Sequence, residues 1–231
     1  MPVIMTAILS NLQAVRAAME QAALLARRDA AEITLLAVSK KVPAGVLREA
    51  YSAGQRAFGE NFVQEALDKM RDLRDLPLEW HFIGPIQSNK TRPIAENFSW
   101  VHSVDRLKIA QRLSEQRPGN LPPLNVCLQI NVSGESSKGG VAPGEAEVLA
   151  QAIAILPRLK LRGLMAIPAP ADEMTLQRAA FAQMRELLLK LNTTGLTLDT
   201  LSMGMSHDLT AAILEGATIV RVGTAIFGRR A

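Results

Sequence analysis

A lysine stands just after the first strongly apolar run of the sequence. The run Thr34–Val38 is typical of a buried β-strand, and Lys40 follows it. Because side chains alternate along a strand, Lys40 is expected to share a face with Leu36 and Val38. If that face is the interior of a barrel, partial dehydration favours the neutral amine, which attacks aldehydes. The pattern predicts imine chemistry at Lys40, with an ordinary solvated lysine as the alternative, and it predicts that Lys41 faces away.

Two short segments near the end of the sequence combine glycine with hydroxyl-bearing residues. The first, residues 204–206, contains Met205 and Ser206, and the second is Gly223 with Thr224. Each follows a predicted late strand, and barrels often bind phosphate with the loops after strands seven and eight. Glycine lets the backbone approach an anion, hydroxyls donate to it, and a helix beginning near Ser206 would add backbone N–H groups. The two segments therefore predict a phosphate site.

Arg221 interrupts the last apolar strand of the sequence. A buried guanidinium needs a partner, because burying an unpaired charge costs roughly several kcal/mol. Two partners remain open: a carboxylate in the core, or an acceptor on a ligand at the mouth of the barrel.

The other polar residues fit structural roles better. The three histidines, His81, His102 and His207, are too dispersed in the sequence to indicate a metal motif, and His81 is expected to be a hydrogen-bonded barrel histidine. Lys90 and Lys138 stand on predicted loops at the same rim as Lys40. They are read as surface lysines, with a loosely held anion as the alternative.

Short apolar runs alternate with helical patterns along the sequence. Strands are predicted at residues 34–38, 56–59, 80–84, 100–104, 126–132, 163–167, 200–204 and 219–223. Helices are predicted at residues 5–28, 46–53, 61–73, 105–117, 144–156, 175–191 and 208–215. Asp105 and Asp208 are predicted N-caps, and the first helix has Leu9, Leu12 and Val15 on its apolar face.

This alternation predicts a single (β/α)8 barrel of the TIM type, covering residues 1–231, with an additional N-terminal helix. A doubly wound open sheet is the rival fold. The sequence has no Gly-x-Gly-x-x-Gly after the first strand, which argues against a dinucleotide-binding sheet.

The composition narrows the functional classes. The 231 residues carry a net charge of +4 without clusters of cations and aromatics, which disfavours a nucleic-acid-binding face. No apolar stretch approaches the length of a membrane span, and the first ten residues do not resemble a signal peptide. The single cysteine, Cys127, lies in an apolar run and is expected to be a buried structural thiol. We therefore expect a cytoplasmic protein.

Six segments, in order along the chain, resemble one known family. They are residues 36–40 (LAVSK), 58–65 (with Phe-Gly-Glu-Asn and Gln-Glu), 81–90 (HFIGPIQSNK), 162–167 (RGLMAI), 202–206 (SMGMS) and 221–228 (RVGTAIFG). Together they resemble the pyridoxal phosphate homeostasis proteins, and the resemblance extends over essentially the whole chain.

The resemblance implies a monomeric barrel related to the cofactor domain of alanine racemase. It implies pyridoxal 5′-phosphate on Lys40, with Asn61 at the cofactor ring and Arg221 beside the pyridine nitrogen. Phosphate contacts are implied for the hydroxyl and glycine residues named above, namely Ser206, Gly223 and Thr224. One departure is visible: the family usually reads Ser-Lys-Thr-Lys-Pro, whereas this chain has Lys41 and Val42 before Pro43.

Three functions remain open at this stage. The first is a carrier that holds pyridoxal phosphate and delivers it transiently to apoenzymes, with no robust catalysis of its own. The second is a pyridoxal phosphate-dependent racemase or related enzyme, which would need an acid or base on each face of the substrate carbon. The only tyrosine, Tyr51, stands on the predicted helix after strand one rather than at a strand end. The third is a Schiff-base aldolase that uses Lys40 on a phosphosugar.

Overall fold

Eight parallel strands close into a barrel in the computed structural model, which describes residues 7–135 and 139–228. Each strand pairs with the next along the chain, and β1 closes the barrel by pairing with β8, Leu36 opposite Arg221. The strands are β1 Thr34–Val38, β2 Ala57–Glu60, β3 Glu79–Phe82, β4 Trp100–Val104, β5 Leu124–Gln129, β6 Leu159–Met165, β7 Thr200–Ser202 and β8 Ile219–Val222. The predicted (β/α)8 fold is confirmed.

The helices surround the barrel and pack on its outward side chains. They are α1 Ala7–Leu25, α2 Ala44–Ser52, α3 Val63–Asp72, α4 Thr91–Asn97, α5 Leu107–Gln116, α6 Ala146–Ala154, α7 Met174–Asn192, α8 Leu209–Leu214 and α9 Thr224–Phe227. The short helices α4 and α9 were not predicted. None of the helices in the described ranges is long and apolar enough to cross a membrane.

The helix α1 lies outside the barrel repeat and packs against α8 and α9. Its buried face comprises Ile8, Leu12, Val15, Met19, Ala22 and Ala23, so the predicted face is right except that Ile8 replaces Leu9. The Asn11 amide donates to Ile226 O at 2.9 Å, and Arg28 Nη1 donates to Ala217 O at 2.8 Å. These bonds join the start of the chain to the last two barrel units, which carry the predicted phosphate segments.

The inside of the barrel holds its own small apolar cluster. Alternation along the strands turns one side chain inward and the next toward the helices. The inward cluster consists of Leu36, Ala57, Trp100, Cys127, Met165 and Ile219, with Ile83 packed against it. Cys127 is fully buried as predicted, and burial raises the pKa of its thiol to about 12.

The predicted N-caps have different outcomes. Asp105 does not cap α5, because the helix begins at Leu107 and Arg106 occupies the N-cap position. The Asp105 carboxylate instead pairs with the neighbouring Arg106 guanidinium at 2.9 Å. Asp208 does occupy the N-cap position of α8, but its carboxylate accepts from the N–H of Met205 at 2.6 Å. Asp208 therefore stabilises the turn before the helix.

Candidate functional site

A cavity of about 550 Å³ opens at the carboxyl ends of strands β1 and β8. Its lining contains six of the seven residues predicted for the cofactor, from three separate parts of the sequence: Lys40, Met205, Ser206, Arg221, Gly223 and Thr224. Parallel strands in a barrel bring their carboxyl ends to one face, which explains why these distant residues meet. Val38, Lys41, Phe62 and His207 complete the lining.

Lys40 stands on the wall of the cavity above the inward side chain of Leu36. Val38 also lines the cavity, so the predicted shared face of Leu36, Val38 and Lys40 is the barrel interior and its mouth. The expected partial dehydration of Lys40 is wrong for this structure, because Lys40 is exposed at the open mouth. Lys41 lines the same cavity, so the prediction that it faces away is also wrong.

The turn that carries the two lysines is held by buried charges. Lys41 has a left-handed backbone conformation, with φ of 60°, and its N–H donates to a carboxylate oxygen of Glu65. The ammonium of Lys69 donates to the same Glu65 oxygen at 2.6 Å and to the carbonyl oxygen of Ser39 at 2.7 Å. The backbone on both sides of Lys40 is therefore fixed by one ion pair on α3.

Glu60 completes this buried group at the end of β2. Its carboxylate oxygen Oε1 accepts from Ser39 Oγ at 2.6 Å and from Lys69 Nζ at 2.8 Å. The Glu60 side chain is fully buried, and burial raises its pKa above the ordinary value, although the hydrogen bond from Lys69 opposes that shift. Lys69 falls inside a predicted helix, and Glu60 falls between a predicted strand and a predicted helix. Neither was predicted as a site residue, although Glu60 belongs to the family segment 58–65.

The two segments predicted to bind phosphate line the same cavity through Met205, Ser206, Gly223 and Thr224. Gly204 has φ of 92°, and a Cβ there would lie 2.5 Å from Ala212 Cβ, so the turn that presents Met205 and Ser206 requires glycine. Gly223 occupies the N-cap position of the four-residue helix α9, which begins at Thr224. The helix α8 begins at Leu209, and the N–H of Met205 is bound by Asp208, so the predicted N–H donors beside Ser206 are only partly present.

Arg221 forms the floor of the cavity, 4% exposed. Its guanidinium donates to Ser202 Oγ at 2.8 Å and to Ala166 O at 2.9 Å. No carboxylate among the described residues forms a salt bridge with it, although the charge of Asp208 favours the cation. Burial lowers the pKa of Arg221 to about 10, which still leaves it protonated at neutral pH. The core-carboxylate partner that the sequence left open is therefore not found as a direct contact.

Asn61 is the predicted site residue that does not line the cavity. It follows Glu60 at the end of β2, and its side-chain oxygen is buried without a hydrogen-bond partner in the described part of the chain. The neighbouring Phe62 lines the cavity in its place, with 54% of its surface exposed. Phe62 and His207 were missed, although both directly follow predicted site residues.

The remaining predictions concern the histidines and the rim lysines. Folding brings His81 and His102 to 2.9 Å inside the barrel, where His81 is hydrogen-bonded on both ring nitrogens as predicted. Within residues 7–135 and 139–228, no cluster of three or more metal-ligating side chains is present. Lys90 ends a short 3-10 helix after β3 and does not line the cavity. Lys138 lies outside the described residues.

Comparison with protein families places the chain. Residues 6–231 match the family model described as alanine racemase, N-terminal domain. A protein of Pseudomonas aeruginosa named pyridoxal phosphate homeostasis protein is 66% identical over 226 residues, which cover 98% of this chain and 97% of that protein. A protein of the same name from Escherichia coli is 55% identical over 229 residues, covering 98% of both chains.

Solved structures agree with this placement. The structure of PipY from Synechococcus elongatus with PLP bound has a TM-score of 0.80 and 41% identity, and covers 91% of this chain and 99% of PipY. Alanine racemase from Corynebacterium glutamicum shares the fold, with a TM-score of 0.73 and 21% identity, and this chain matches 61% of its length. From the barrel, the six family segments and these relatives together, the chain belongs to the pyridoxal phosphate homeostasis protein family, within the alanine racemase N-terminal domain group.

Proposed function

We propose that this protein binds pyridoxal 5′-phosphate in the cavity at the carboxyl end of the barrel and takes part in its intracellular homeostasis. One observation carries the proposal: a lysine, two glycine–hydroxyl segments and a buried guanidinium converge on a single cavity of about 550 Å³. That volume falls in the usual range for a small-molecule site. The names of the relatives and the PLP bound to PipY support the same ligand.

The residues of the cavity fit the chemical groups of the cofactor. A phosphate dianion needs hydrogen-bond donors, and Ser206 and Thr224 supply hydroxyls beside the backbone of Gly223. A pyridine nitrogen is an acceptor, and the guanidinium of Arg221 has only donors. An aldehyde needs an amine, and Lys40 supplies one at the wall. When bound, the cofactor contributes an electrophilic carbonyl conjugated with an aromatic ring.

We further propose that Lys40 holds the cofactor covalently. Its neutral amine adds to the aldehyde carbon, and loss of one water molecule gives an imine. Lys41 is the competing amine, because it lines the same cavity. The two lysines differ in backbone conformation, since Lys41 is left-handed and its N–H is bound to Glu65. Lys40 continues from β1 and is the residue that the family motif assigns to the cofactor.

The carrier function is favoured over catalysis. Arg221 remains protonated at neutral pH and cannot give a full proton to a pyridine nitrogen, so the ring is a weaker electron sink. Tyr51 lies on α2 beneath the Arg56 guanidinium, 3.9 Å from its ring centroid, and does not line the cavity. Lys41 and His207 do line it, so the cavity contains two side chains besides Lys40 that could act as an acid or a base. The racemase therefore remains the alternative that experiment must exclude.

The proposed carrier works as a cytoplasmic monomer of one domain that transfers the cofactor to apoenzymes in transient encounters. A paired assay tests this function. The loaded protein, incubated with alanine and other common amino acids, should show negligible racemisation, transamination or decarboxylation. Mixed with an apoenzyme that requires pyridoxal phosphate, it should restore activity. Turnover of an amino acid at about 1–10³ per second, the ordinary range of enzymes, would overturn the carrier and establish the enzyme.

A further inference from the structure

We infer that Ser202, His102 and His81 form a hydrogen-bonded relay that positions Arg221 and connects it through the barrel to Glu79. This inference deepens the proposed function, because Arg221 is the residue proposed to face the pyridine nitrogen. Arg221 Nη1 lies 2.8 Å from Ser202 Oγ, and Ser202 Oγ lies 2.7 Å from His102 Nδ1. His102 Nε2 lies 2.9 Å from His81 Nδ1, and His81 Nε2 lies 2.6 Å from Glu79 Oε1.

The chemistry of each group determines where every hydrogen of the relay lies. An ionised carboxylate can only accept, so His81 carries its hydrogen on Nε2 and donates it to Glu79. Nδ1 of neutral His81 is then an acceptor, so His102 carries its hydrogen on Nε2 and donates it to His81. Nδ1 of neutral His102 is therefore also an acceptor, and it takes the single hydroxyl hydrogen of Ser202. Ser202 Oγ in turn accepts from Arg221, because a guanidinium can only donate.

This assignment requires both imidazoles to be neutral, and their surroundings favour that state. Both histidines are buried, and burial is the main cause that lowers the pKa of each. Burial lowers the pKa of His102 well below its ordinary value, and the charge of Arg221, together with that of His81 whenever His81 is protonated, lowers it further. For His81 the hydrogen bond to Glu79 opposes the shift without reversing it.

The relay adds to the stabilisation that the charge of Asp208 gives Arg221 at the cavity floor, where no carboxylate of the described residues contacts the guanidinium. The side chain of Glu79 is 49% exposed at the start of β3, where water stabilises its charge. All four hydrogen bonds run in one direction, from Arg221 to Glu79, and aligned bonds polarise one another in a dry interior. An exposed carboxylate thus stabilises a buried cation through the relay.

The relay also fixes the orientation of the guanidinium. Nη1 is held by Ser202 on β7, and Nη2 is held by Ala166 O just after β6. His102 Nδ1 fixes the rotation of the Ser202 hydroxyl, because it holds the hydroxyl hydrogen away from Arg221 and leaves a lone pair of Oγ directed at the guanidinium. His102 and Ser202 are therefore positioning residues for Arg221, and neither lines the cavity.

The alternative to the relay is that His81 and His102 only fill space inside the barrel. His81 stacks on Trp100, with ring centroids 5.5 Å apart and an angle of 4° between the planes. If His102 only filled space, side chains of similar size at that position would be equivalent. The relay instead predicts different effects for His102→Asn and His102→Gln. In His102→Asn the amide oxygen takes the place of Nδ1 and accepts from Ser202. In His102→Gln the amide nitrogen takes the place of Nε2, and Ser202 has no acceptor for its hydroxyl hydrogen.

Nitrogen-15 NMR of the cofactor-free protein tests the relay directly. We expect a hydrogen on Nε2 of both His81 and His102, and separate Nη1 and Nη2 signals from a guanidinium that does not rotate freely. His102→Asn should keep the two Nη signals separate, and His102→Gln should average them. If either histidine carries its hydrogen on Nδ1, or if Asn and Gln behave alike, the relay is refuted. If the His102 variants do not fold, the positions of the two histidine hydrogens in the wild-type protein decide the relay by themselves.

Titration with pyridoxal phosphate then tests the consequence for the cofactor. The Gln variant should bind about three- to tenfold more weakly than the Asn variant, the change that one hydrogen bond of roughly 0.5–1.5 kcal/mol implies. Equal affinities of the two variants would show that the relay does not position Arg221 for the ligand. A wild-type protein that does not bind the cofactor would refute the proposed function, while the NMR result would still decide the relay.

Discussion

The ammonium of Lys69 lies 2.7 Å from the carbonyl oxygen of Ser39, the residue immediately before Lys40. Lys69 also holds Glu65, whose carboxylate accepts the N–H of Lys41 immediately after it. The proposed cofactor lysine is thus exposed as a side chain but fixed in its backbone, so the amine is presented from a rigid turn.

We expect Lys69→Met to lower the free energy of unfolding by about 3–5 kcal/mol at neutral pH, the usual cost of leaving a buried charge unpaired. The Glu60 side chain is fully buried beside Lys69, and one of its oxygens already lacks a partner among the described residues. Urea unfolding measures the change. The double variant with Glu60→Gln should recover most of the loss, because the charge that needs Lys69 is then absent. No recovery would show that Lys69 acts mainly on the Ser39 backbone.

Stability should fall on mild acidification because of the two buried histidines. Their folded-state pKa values lie below the ordinary 6.5, so the unfolded chain binds protons that the folded chain does not. Their contribution is complete above pH 6.5 and is lost as the pH falls below it, by up to about 1.4 kcal/mol per pH unit for each histidine.

Urea unfolding of the wild type and His102→Asn between pH 7.5 and 5.5 measures this contribution. The raised pKa of Glu60 has the opposite effect, because protonation of Glu60 at low pH stabilises the folded state. Both proteins contain Glu60, so its contribution cancels when the free energy of unfolding of the variant is subtracted from that of the wild type. The free energy of unfolding of the variant should depend less steeply on pH than that of the wild type. The two slopes should differ by up to about 1.4 kcal/mol per pH unit, which corresponds to one proton. Equal slopes would contradict a buried neutral His102.

Two glycines should respond in opposite directions to the same substitution. A Cβ at Gly84 would lie 2.3 Å from the backbone oxygen of Asn61, whereas a Cβ at Gly45 would meet nothing within 4 Å. Gly84→Ala should therefore destabilise the protein by about 1–3 kcal/mol and displace the end of β2 beside the cavity. Gly45→Ala, in the first turn of α2, should stabilise it by up to about 1 kcal/mol. Thermal unfolding measures both, and a neutral Gly84→Ala would contradict the close approach of the two strand ends.

Ser206→Ala should weaken pyridoxal phosphate about ten- to hundredfold, since a hydrogen bond to a charged group contributes about 1.5–3 kcal/mol. Pyridoxal, which lacks the phosphate, should bind both proteins almost equally. Equilibrium titration of the four protein–ligand pairs separates the two roles of Ser206. Equal losses for both ligands would show that Ser206 supports the turn at Gly204 and does not contact phosphate.

The barrel could be predicted because parallel strands buried on both faces appear as apolar runs, and β1 and β4 have the predicted bounds. Prediction failed where that pattern is weak. The strand β6 begins at Leu159 rather than at residue 163, because the charged residues Lys160 and Arg162 interrupt the apolar run. The Arg162 guanidinium lies over the Trp100 ring, 4.9 Å from its centroid, a contact that the sequence does not indicate. The helix α4 has seven residues and contains Pro93, so it lacks a helical period long enough to detect.

The residues that line the candidate site could be predicted from the sequence, whereas the contacts that support them could not. The meeting of Lys40, Ser206, Arg221, Gly223 and Thr224 in one cavity could be predicted, because a barrel gathers its strand ends. Their roles toward an aldehyde, an anion and an aromatic nitrogen stay predictions. The supporting contacts could not be predicted, because they join positions far apart in the sequence. His102 and Ser202, for example, are separated by 100 positions and meet only across the closed barrel.

Borohydride reduction followed by peptide mapping determines whether Lys40 holds the cofactor covalently. The protein is loaded with pyridoxal phosphate, reduced with borohydride to convert an imine into a stable secondary amine, digested, and mapped by mass spectrometry. Lys40→Ala is the control, and it should lose the adduct while its phosphate contacts remain. We expect the reduced cofactor on Lys40. Reduced cofactor mainly on Lys41, or an adduct that persists in Lys40→Ala, would show that Lys40 does not hold the cofactor.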